Sequence, residues 1–457
     1  MYHRGNDLTK AKTLELQRAL TAAGPEILEG GFTLQTTAHP LTKEPGYTIS
    51  MLTPKTSNAN LIIVQQKDTG VVQFRFPDRT MRPSSSVPGE TSIHNFAFIS
   101  PLQLWMPLGD ATKWVIRAIL KVPEEIASDA VCVAARVVEK LNKTEGFIYL
   151  AKGYQQTATG YELEQAKDKR VLLFVHGIFS SIHGAFGDLG DPAATDTTMK
   201  KLIDAYSGHV FGYDHWTISK TPLQNALDLL DAIPDQANWA IDVICHSRGG
   251  LVVRSLLSVI AEGVEPTNDG LRLVAQRRAG KIKSIDKTFF VAAANQGSPL
   301  ANPDEIQNFL NIAAFLASKT DCFALDVVVG LTRVLVSAAF NLPGVQELST
   351  TSTLVKDLNQ IGTLMADGNI YGARADFDCA QSILLEGGVL LDRLLMRVDS
   401  DLVVPYAGVA SPHPDIPADH HLLSFGSPEA KQGKVWHTEF FSQPETHKLL
   451  IDQLAGT

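Results

Sequence analysis

The sequence predicts an α/β fold over residues 160–457, in which helices cover both faces of a mostly parallel sheet. From Lys169 onward, short apolar runs alternate with segments of helical apolar spacing, as in RVLLFVHG, HVFGYDHW, PLQNALDLLDAIP and WAIDVICHS. Strands that are buried on both faces form such unbroken apolar runs, and their alternation with helices is typical of parallel sheets. A second observation is the stretch ICHSRGGLVV, where a predicted strand turns abruptly into a predicted helix at Ser247.

The later elements continue this rhythm. GGLVVRSLLSVIAEG predicts a helix and KTFFVAAANQGSP a fourth strand. NIYGARADFD and DRLLMRVDSDLVVP predict two late strands, and SQPETHKLLIDQLAGT predicts a closing helix. Residues 300–364 interrupt the alternation with a long apolar stretch of helical spacing. Because this stretch leaves and rejoins the sheet between late strands, we expect it to form a helical cap or lid.

Residues 1–159 have a different pattern and predict a separate accessory domain, α+β or β-rich. Helical spacing covers residues 8–22, and GFTLQTTA, YTISMLT, NLIIVQQ and VVQFRFP predict short strands between turns. DATKWVIRAILKVP and SDAVCVAARVVEKLN predict amphipathic helices. This domain is either a structural extension that packs on the edge of the sheet domain or a module that binds a protein partner.

Composition excludes several classes of function. The 457 residues hold 40 Lys and Arg against 49 Asp and Glu, a formal net charge of -9, which argues against a nucleic-acid-binding surface. The N-terminus has no apolar core of a signal peptide, and the most apolar long window, residues 326–340, is too short to span a bilayer. We therefore expect a cytoplasmic protein without a transmembrane segment. The cysteines are scattered and lack CxxC spacing, which argues against a metal site or a disulfide framework; they are Cys132, Cys245, Cys322 and Cys379.

Ser247 lies in a pattern that resembles the nucleophile elbow G-x-S-x-G. A tight strand–helix turn of this kind strains the serine backbone and projects the hydroxyl from the sheet edge, and it needs small residues two positions before and after. Gly249 meets that requirement, whereas Cys245 replaces the first glycine. The alternative for HSRGG alone is a phosphate-binding or simply tight turn.

The HG pair in LLFVHGIFSS predicts an oxyanion hole, a pair of N–H groups that binds the negatively charged oxygen of an acyl-transfer intermediate. In folds with a nucleophile elbow, one donor follows the nucleophile and the other lies in an early strand–helix loop. Here these are the backbone N–H groups of Arg248 and Ile178. Gly177 allows the loop to bend inward, and we expect His176 to brace the loop rather than act as a base.

A serine nucleophile on such an elbow requires an acid and a histidine later in the chain. Asp399 and Asp401 both occur at the end of LLMRVDSDLVVP, and each is also a plausible turn residue. His437 lies in a loop directly before the last helix and is the preferred base, whereas His447 lies inside that helix. The other histidines that follow the acids lie in a Pro-rich loop; they are His413, His420 and His421.

Taken together, these motifs resemble the lipase-like branch of the α/β-hydrolase superfamily, near its GPI-inositol-deacylase-like and bacterial lipase groups. FVHGIFSS is similar to the oxyanion loop of that branch, CHSRGG, which includes His246, to its GHSxGG elbow, and AAANQGSPLA to its xTPHxGSPLA stretch. LPGVQELSTTSTLVKDLN resembles a further segment of the branch. SDLVVP resembles NDGVVP, with Leu402 in place of glycine, and HTEFF resembles the loop of the catalytic histidine. The resemblance implies an α/β-hydrolase fold over residues 160–457 and selects Asp401 and His437.

The implied activity is that of a serine hydrolase for carboxylic esters, with a lipid or another hydrophobic acyl ester as substrate and no metal or cofactor. An acyltransferase, a thioesterase or a peptidase would use the same three residues. A non-catalytic scaffold with the same fold is the alternative from another class. No nucleic-acid partner is expected, and transient contact with a membrane surface is compatible with a lipid substrate.

Overall fold

The computed structural model describes residues 139, 145–178, 180–258, 268–301, 342–360, 370–377, 400–401, 403–412, 415–417, 420–427 and 435–456, and the backbone of eight strands in the rest of the chain. The chain divides into two compact units. The first comprises Met1–Asn142 and Leu310–Leu342, and the second comprises Lys143–Phe309 and Pro343–Thr457.

The described part of the first unit consists of two four-stranded sheets. The order is β1-β2-β6-β5 in one sheet and β13-β4-β3-β7 in the other. All pairs are antiparallel except β13 with β4. The strands are β1 (Thr33–Thr37), β2 (Gly46–Pro54), β3 (Asn58–Gln66), β4 (Val72–Arg75), β5 (Arg79–Met81), β6 (Thr91–Ile99), β7 (Trp114–Pro123) and β13 (Val334–Val336).

The sequence predictions for this unit are partly confirmed. The four predicted strands correspond to β1, β2, β3 and β4. The helix predicted at residues 110–123 is wrong, because this segment forms β7 and pairs with β3 along its whole length. Its β-branched residues favour a strand once a partner strand is present. The helices predicted at residues 8–22 and 128–142 lie outside the described residues, apart from Glu139.

The second unit contains a seven-stranded sheet in the order β15-β14-β12-β11-β9-β10-β8. All neighbouring strands are parallel except the edge strand β8, which runs antiparallel to β10. The central strand β11 leads directly into a helix. The strands are β8 (Gly146–Tyr149), β9 (Arg170–Val175), β10 (Val210–Asp214), β11 (Trp239–His246), β12 (Ile282–Val291), β14 (Ile370–Ala375) and β15 (Leu422–Phe425).

Ten helices of the described residues accompany this sheet. Several begin at side-chain caps: the Thr197 and Thr221 hydroxyls accept hydrogen bonds from backbone N–H groups of the first turns that follow them. The helices are α1 (Gly160–Gln165), α2 (Ile182–Phe186), α3 (Thr198–Ala205), α4 (Pro222–Ala232), α5 (Gly249–Leu257), α6 (Asp269–Arg278), α7 (Pro343–Gln346), α8 (Thr353–Gln360), α9 (Tyr406–Val409) and α10 (Pro444–Leu454).

Apolar side chains cover both faces of the sheet, which explains the unbroken apolar runs. Along β9, Val171, Leu173 and Val175 belong to one buried cluster, and Leu172 and Phe174 belong to the other. The first cluster includes side chains of α4, α5 and α6, and the second includes side chains of α2, α3 and α10. A mostly parallel sheet in this order, covered on both faces and with a sharp turn after its central strand, is the α/β-hydrolase fold.

Two details of the predicted organisation differ from the structure. The sheet unit begins before residue 160, because β8 at residues 146–149 pairs with β10. Within the predicted cap, residues 334–336 form a strand that pairs with β4 of the first unit, and residues 343–346 and 353–360 are helical. Residues 302–333, 337–341 and 361–369 lie outside the described residues, so the covering position of the cap stays a prediction.

The end of the sheet also contains one strand that was not predicted. β14 corresponds to the strand predicted from NIYGARADFD, and the neighbouring strand is β15 at Leu422–Phe425. Most of the other predicted late strand, DRLLMRVDSDLVVP, lies outside the described residues. Among the described residues, no helix combines the length and apolar character that crossing a bilayer requires.

Candidate active site

Ser247 occupies the sharp turn between β11 and α5. Its φ angle is 57°, in the left-handed region that non-glycine residues rarely adopt. The Ser247 N–H donates to the Val291 carbonyl over 3.2 Å, and its own carbonyl accepts from the N–H groups of Gly250 and Ala294 over 3.0 and 3.1 Å. Because these bonds join the turn to the end of β12 and to the first turn of α5, they hold the serine in its strained conformation.

Two glycines allow the backbone to pass close to this turn. A Cβ atom at Gly249 would lie 2.4 Å from the Val175 carbonyl oxygen and 2.7 Å from that of His176, so only glycine fits where α5 meets the end of β9. A Cβ atom at Gly177 would lie 2.5 Å from the Ser247 Cβ. The loop that follows β9 therefore runs directly against the serine side chain.

Cys245 occupies the position where the elbow pattern has its first glycine. Its side chain is fully buried, and its thiol donates to the Phe289 carbonyl over 3.4 Å. Burial raises the pKa of the thiol well above its usual range, so it stays protonated and unreactive at neutral pH. Cys245 therefore fills this position as a small apolar residue.

His437 lies between Ser247 and Asp401 and contacts both. Its Nε2 lies 2.8 Å from the Ser247 Oγ, and its Nδ1 lies 2.9 Å from Asp401 Oδ2. The carboxylate requires a proton on Nδ1, which leaves Nε2 free to accept the serine proton. All three side chains are buried, since the exposed fractions are 2% for Ser247, 2% for His437 and 0% for Asp401.

The Asp401 carboxylate is oriented by its own loop. Its Oδ1 accepts hydrogen bonds from the N–H groups of Val403 and Val404 over 3.0 and 2.7 Å, which leaves Oδ2 for the imidazole. The Asp401 carbonyl also accepts from the His437 N–H over 3.1 Å. Backbone and side chain thus join Asp401 to His437 at two points. Asp399 and Leu402 lie outside the described residues.

His246, the residue before the serine, holds the backbone of His437. Its Nε2–H donates to the His437 carbonyl over 2.8 Å, and the two imidazole rings lie 4.8 Å apart. Burial, and to a smaller degree the charge of His437, lowers the pKa of His246 to about 3. The ring is therefore neutral at neutral pH, and its Nδ1 has no hydrogen-bond partner in the part of the chain that the structure describes.

The loop after β9 contains the other residues predicted for the site. His176 is fully buried; its Nδ1–H donates to the Gly177 carbonyl over 2.8 Å, its Nε2 accepts from the His215 N–H over 3.2 Å, and its ring stacks on that of His215. These contacts brace the loop. Ile178 directly follows Gly177, which packs against the Ser247 side chain. Arg248 directly follows Ser247 itself.

The remaining histidines among the predicted candidates lie elsewhere. His447 in α10 contacts the Thr198 hydroxyl over 2.9 Å and the Phe441 carbonyl over 2.5 Å. His420 and His421 form a ring cluster with Tyr371. His413 lies outside the described residues.

The sequence analysis did not identify Ser298, which holds the loop that contains Asp401. Its hydroxyl donates to the Val403 carbonyl over 2.5 Å, and its N–H donates to the Leu348 carbonyl over 2.7 Å. The motif NQGSP after β12 contains this serine, but only the hydrogen-bond partners of Ser298 in the structure identify its role. No group of three or more His, Cys, Asp or Glu residues in the described ranges is arranged to hold a metal ion.

The neutral, buried His246 predicts an acid-dependent loss of stability. The folded-state pKa lies below that of the unfolded chain, so the unfolded chain binds the extra proton as pH falls below about 6.5. We expect the free energy of unfolding to fall by about 1–2 kcal/mol more between pH 7 and pH 5 in the wild type than in His246→Gln. Urea denaturation at both pH values measures this difference, and an equal fall in the two proteins would contradict the assignment.

The solved structures that are similar to this chain include a lipase and a phospholipase. Lipase 1 from Pelosinus fermentans is 16% identical, with a TM-score of 0.38, over 63% of this chain and 99% of that one. Phospholipase PlaB from Legionella pneumophila, solved in complex with thio-NAD, is 14% identical, with a TM-score of 0.31, over 52% of this chain and 43% of that one. The chain thus spans less than half the length of the phospholipase. A search of curated protein sequences finds no match.

One sequence family matches the chain, over residues 138–455. This range contains the whole seven-stranded sheet and every residue of the candidate site. The chain therefore belongs to the family described as Domain of unknown function (DUF7379).

Proposed function

We propose that this protein is a serine hydrolase that cleaves carboxylic esters through an acyl-enzyme on Ser247. The observation that carries the proposal is the hydrogen-bonded series from the Ser247 hydroxyl through the His437 imidazole to the Asp401 carboxylate, located on a strained strand–helix turn. A serine, a histidine and an acid in this arrangement form the machinery of nucleophilic acyl transfer.

The proposed reaction has two steps. In the first, the Ser247 Oγ attacks the ester carbonyl while His437 Nε2 takes the hydroxyl proton, and Asp401 stabilises the resulting imidazolium. Collapse of the tetrahedral intermediate breaks the C–O bond of the ester, and His437 returns the proton to the departing alcohol. In the second step, His437 deprotonates a water molecule that attacks the acyl-enzyme, which releases the carboxylic acid and restores the serine.

The N–H groups of Ile178 and Arg248 are the proposed oxyanion hole. The support is positional: Arg248 follows the nucleophile at the start of α5, and the chain at Gly177 packs against the Ser247 side chain. The start of a helix also favours negative charge, because its N–H groups are not bonded within the helix. Each correctly placed donor of this kind contributes about 3 kcal/mol to transition-state stabilisation.

The proposed substrates are lipid or other hydrophobic acyl esters. The support comes from the sequence, in which CHSRGG, SDLVVP and HTEFF resemble motifs of the lipase-like branch, and that resemblance implies a hydrophobic acyl ester as substrate. An apolar acyl-binding site would favour long acyl chains. The triad alone does not distinguish this activity from acyl transfer, so the experiments below use defined esters.

We expect Ser247→Ala to lower ester turnover at least a thousandfold, because no other side chain replaces the nucleophile. The variant should keep the circular dichroism spectrum of the wild type. A fluorophosphonate probe should label the wild type and not the variant. Retained turnover above about one percent of the wild-type value would show that another group performs the reaction.

Asp399 and Asp401, the two acids that precede the VVP segment, allow two variants to be compared directly. Asp401→Asn should lower kcat by about a thousandfold or more, since an amide at this position favours the wrong imidazole tautomer. Asp399→Asn should change kcat by less than about threefold, because we do not expect Asp399 to orient the His437 imidazole. Steady-state kinetics on one ester compare them, and equal losses would make the assignment of the acid wrong.

Substrate class is tested by a series of p-nitrophenyl esters that differ only in acyl length. We expect kcat/KM to rise about tenfold or more from the acetyl to the octanoyl ester, since each buried methylene contributes about 0.8 kcal/mol. Equal kcat/KM values across the series would contradict a hydrophobic acyl site and leave the serine mechanism unaffected.

A further inference from the structure

Arg248, the residue after the proposed nucleophile, has a fully buried side chain. Its guanidinium donates to three oxygens: Nε–H to the Gly344 carbonyl over 3.2 Å, Nη1–H to Asn225 Oδ1 over 3.0 Å and Nη2–H to the Lys220 carbonyl over 2.6 Å. Gly344 belongs to α7, Asn225 belongs to the first turn of α4, and Lys220 lies just before α4. One side chain thus joins the elbow to α7 and to the start of α4.

The segments that Arg248 contacts are themselves joined to each other. The Gly344 N–H donates to the Ile218 carbonyl over 2.9 Å, and a Cβ atom at Gly344 would lie 2.0 Å from the Thr217 oxygen. Asn225 Nδ2–H donates to the Trp216 carbonyl over 3.0 Å. The acceptors of Arg248 therefore belong to segments that pack closely and form hydrogen bonds with one another.

Burying a guanidinium away from water is costly unless its donors are satisfied in good geometry. The guanidinium is planar and presents its N–H groups in a fixed fork, so three acceptors in three directions determine its orientation. The backbone of Arg248 is held as well, since its carbonyl accepts from the Leu251 N–H over 3.0 Å. The peptide plane between Ser247 and Arg248 is held by the Ser247 carbonyl, which accepts from the N–H groups of Gly250 and Ala294 over 3.0 and 3.1 Å. The Arg248 side chain and carbonyl restrict the same residue on its other side.

We propose that Arg248 is a positioning residue, whose buried guanidinium fixes the direction of its own backbone N–H as an oxyanion donor. This inference rests on the proposed function, because the oxyanion forms only during acyl transfer. The three acceptors are neutral oxygens, so their hydrogen bonds depend on the directions of the N–H groups in the planar fork rather than on the positive charge. A lysine, which keeps the charge and loses the planar fork, therefore does not replace it.

Arg254 provides a matched control within the same helix. It is also fully buried, and it donates to the carbonyls of Asn295 and Leu358 over 2.5 and 2.8 Å and to the Asn359 side chain over 2.9 Å. Its contacts are with segments other than those that Arg248 joins to the elbow. Substitution of Arg254 therefore tests the cost of losing a buried arginine from α5 whose guanidinium does not contact the segments that hold Arg248.

The experiment compares Arg248→Lys and Arg248→Gln with Arg254→Lys and Arg254→Gln, each as folded protein with the ester that the wild type hydrolyses fastest. We expect both Arg248 variants to lower kcat about 10- to 100-fold, with KM changed less than about threefold. Affinity for an alkyl boronic acid, which forms a tetrahedral adduct on the serine, should fall in parallel with kcat. The Arg254 variants should lose thermal stability and keep kcat and boronic acid affinity within about threefold of wild type.

Asn225→Leu keeps the inference testable if the Arg248 variants do not fold. It removes one acceptor of the fork and should lower kcat and boronic acid affinity about 3- to 10-fold together. Unchanged kcat in folded Arg248 variants, or in Asn225→Leu if those do not fold, would overturn the inference, as would a loss confined to KM or a recovery of kcat in Arg248→Lys. A wild-type protein that neither hydrolyses esters nor reacts with the fluorophosphonate would instead refute the proposed function.

Discussion

The close approach between the first turn of α5 and the end of β9 is the constraint on which the site depends. The α-carbon of Gly249 lies so near the carbonyls of Val175 and His176 that any side chain there would overlap them. The chain therefore has to turn from β11 into α5 within two residues, and Ser247 takes a left-handed φ of 57°. The strained serine is a consequence of how closely helix and sheet pack. In this conformation its hydroxyl lies within hydrogen-bond distance of His437.

The sheet brings distant parts of the chain to this turn. Ser247 and His437 are 190 residues apart in sequence and 2.8 Å apart between Oγ and Nε2. Parallel strands end at a common edge, so the loops that follow them converge there. His437 is then held through four contacts: its ring by Ser247 and Asp401, its N–H by the Asp401 carbonyl and its carbonyl by His246. Two of these partners, His246 and Ser247, are neighbours at the end of β11.

Buried polar groups surround the turn, and their neighbours offset the cost of burial. The Asp401 carboxylate accepts from two backbone N–H groups and the imidazole, and the Arg248 guanidinium donates to three neutral oxygens. Charges in such surroundings are poorly screened by water, so each hydrogen bond is electrostatically stronger than at the surface. A site of this kind fixes directions closely, which is what the proposed proton transfer between Ser247 and His437 requires.

The sequence by itself determined the features that depend on local patterns. The apolar runs predicted the parallel strands around β11, and the strand–turn–helix pattern predicted the turn at Ser247, because backbone geometry and burial there leave few alternatives. Only the tertiary structure decided features that depend on distant partners. Residues 114–123 form a strand because β3 pairs with them, although their apolar spacing also fits a helix. The contacts of Arg248 and Ser298 are equally invisible in sequence, because most of their acceptors are backbone carbonyls, which carry no sequence signal, and two of these lie about 100 residues away.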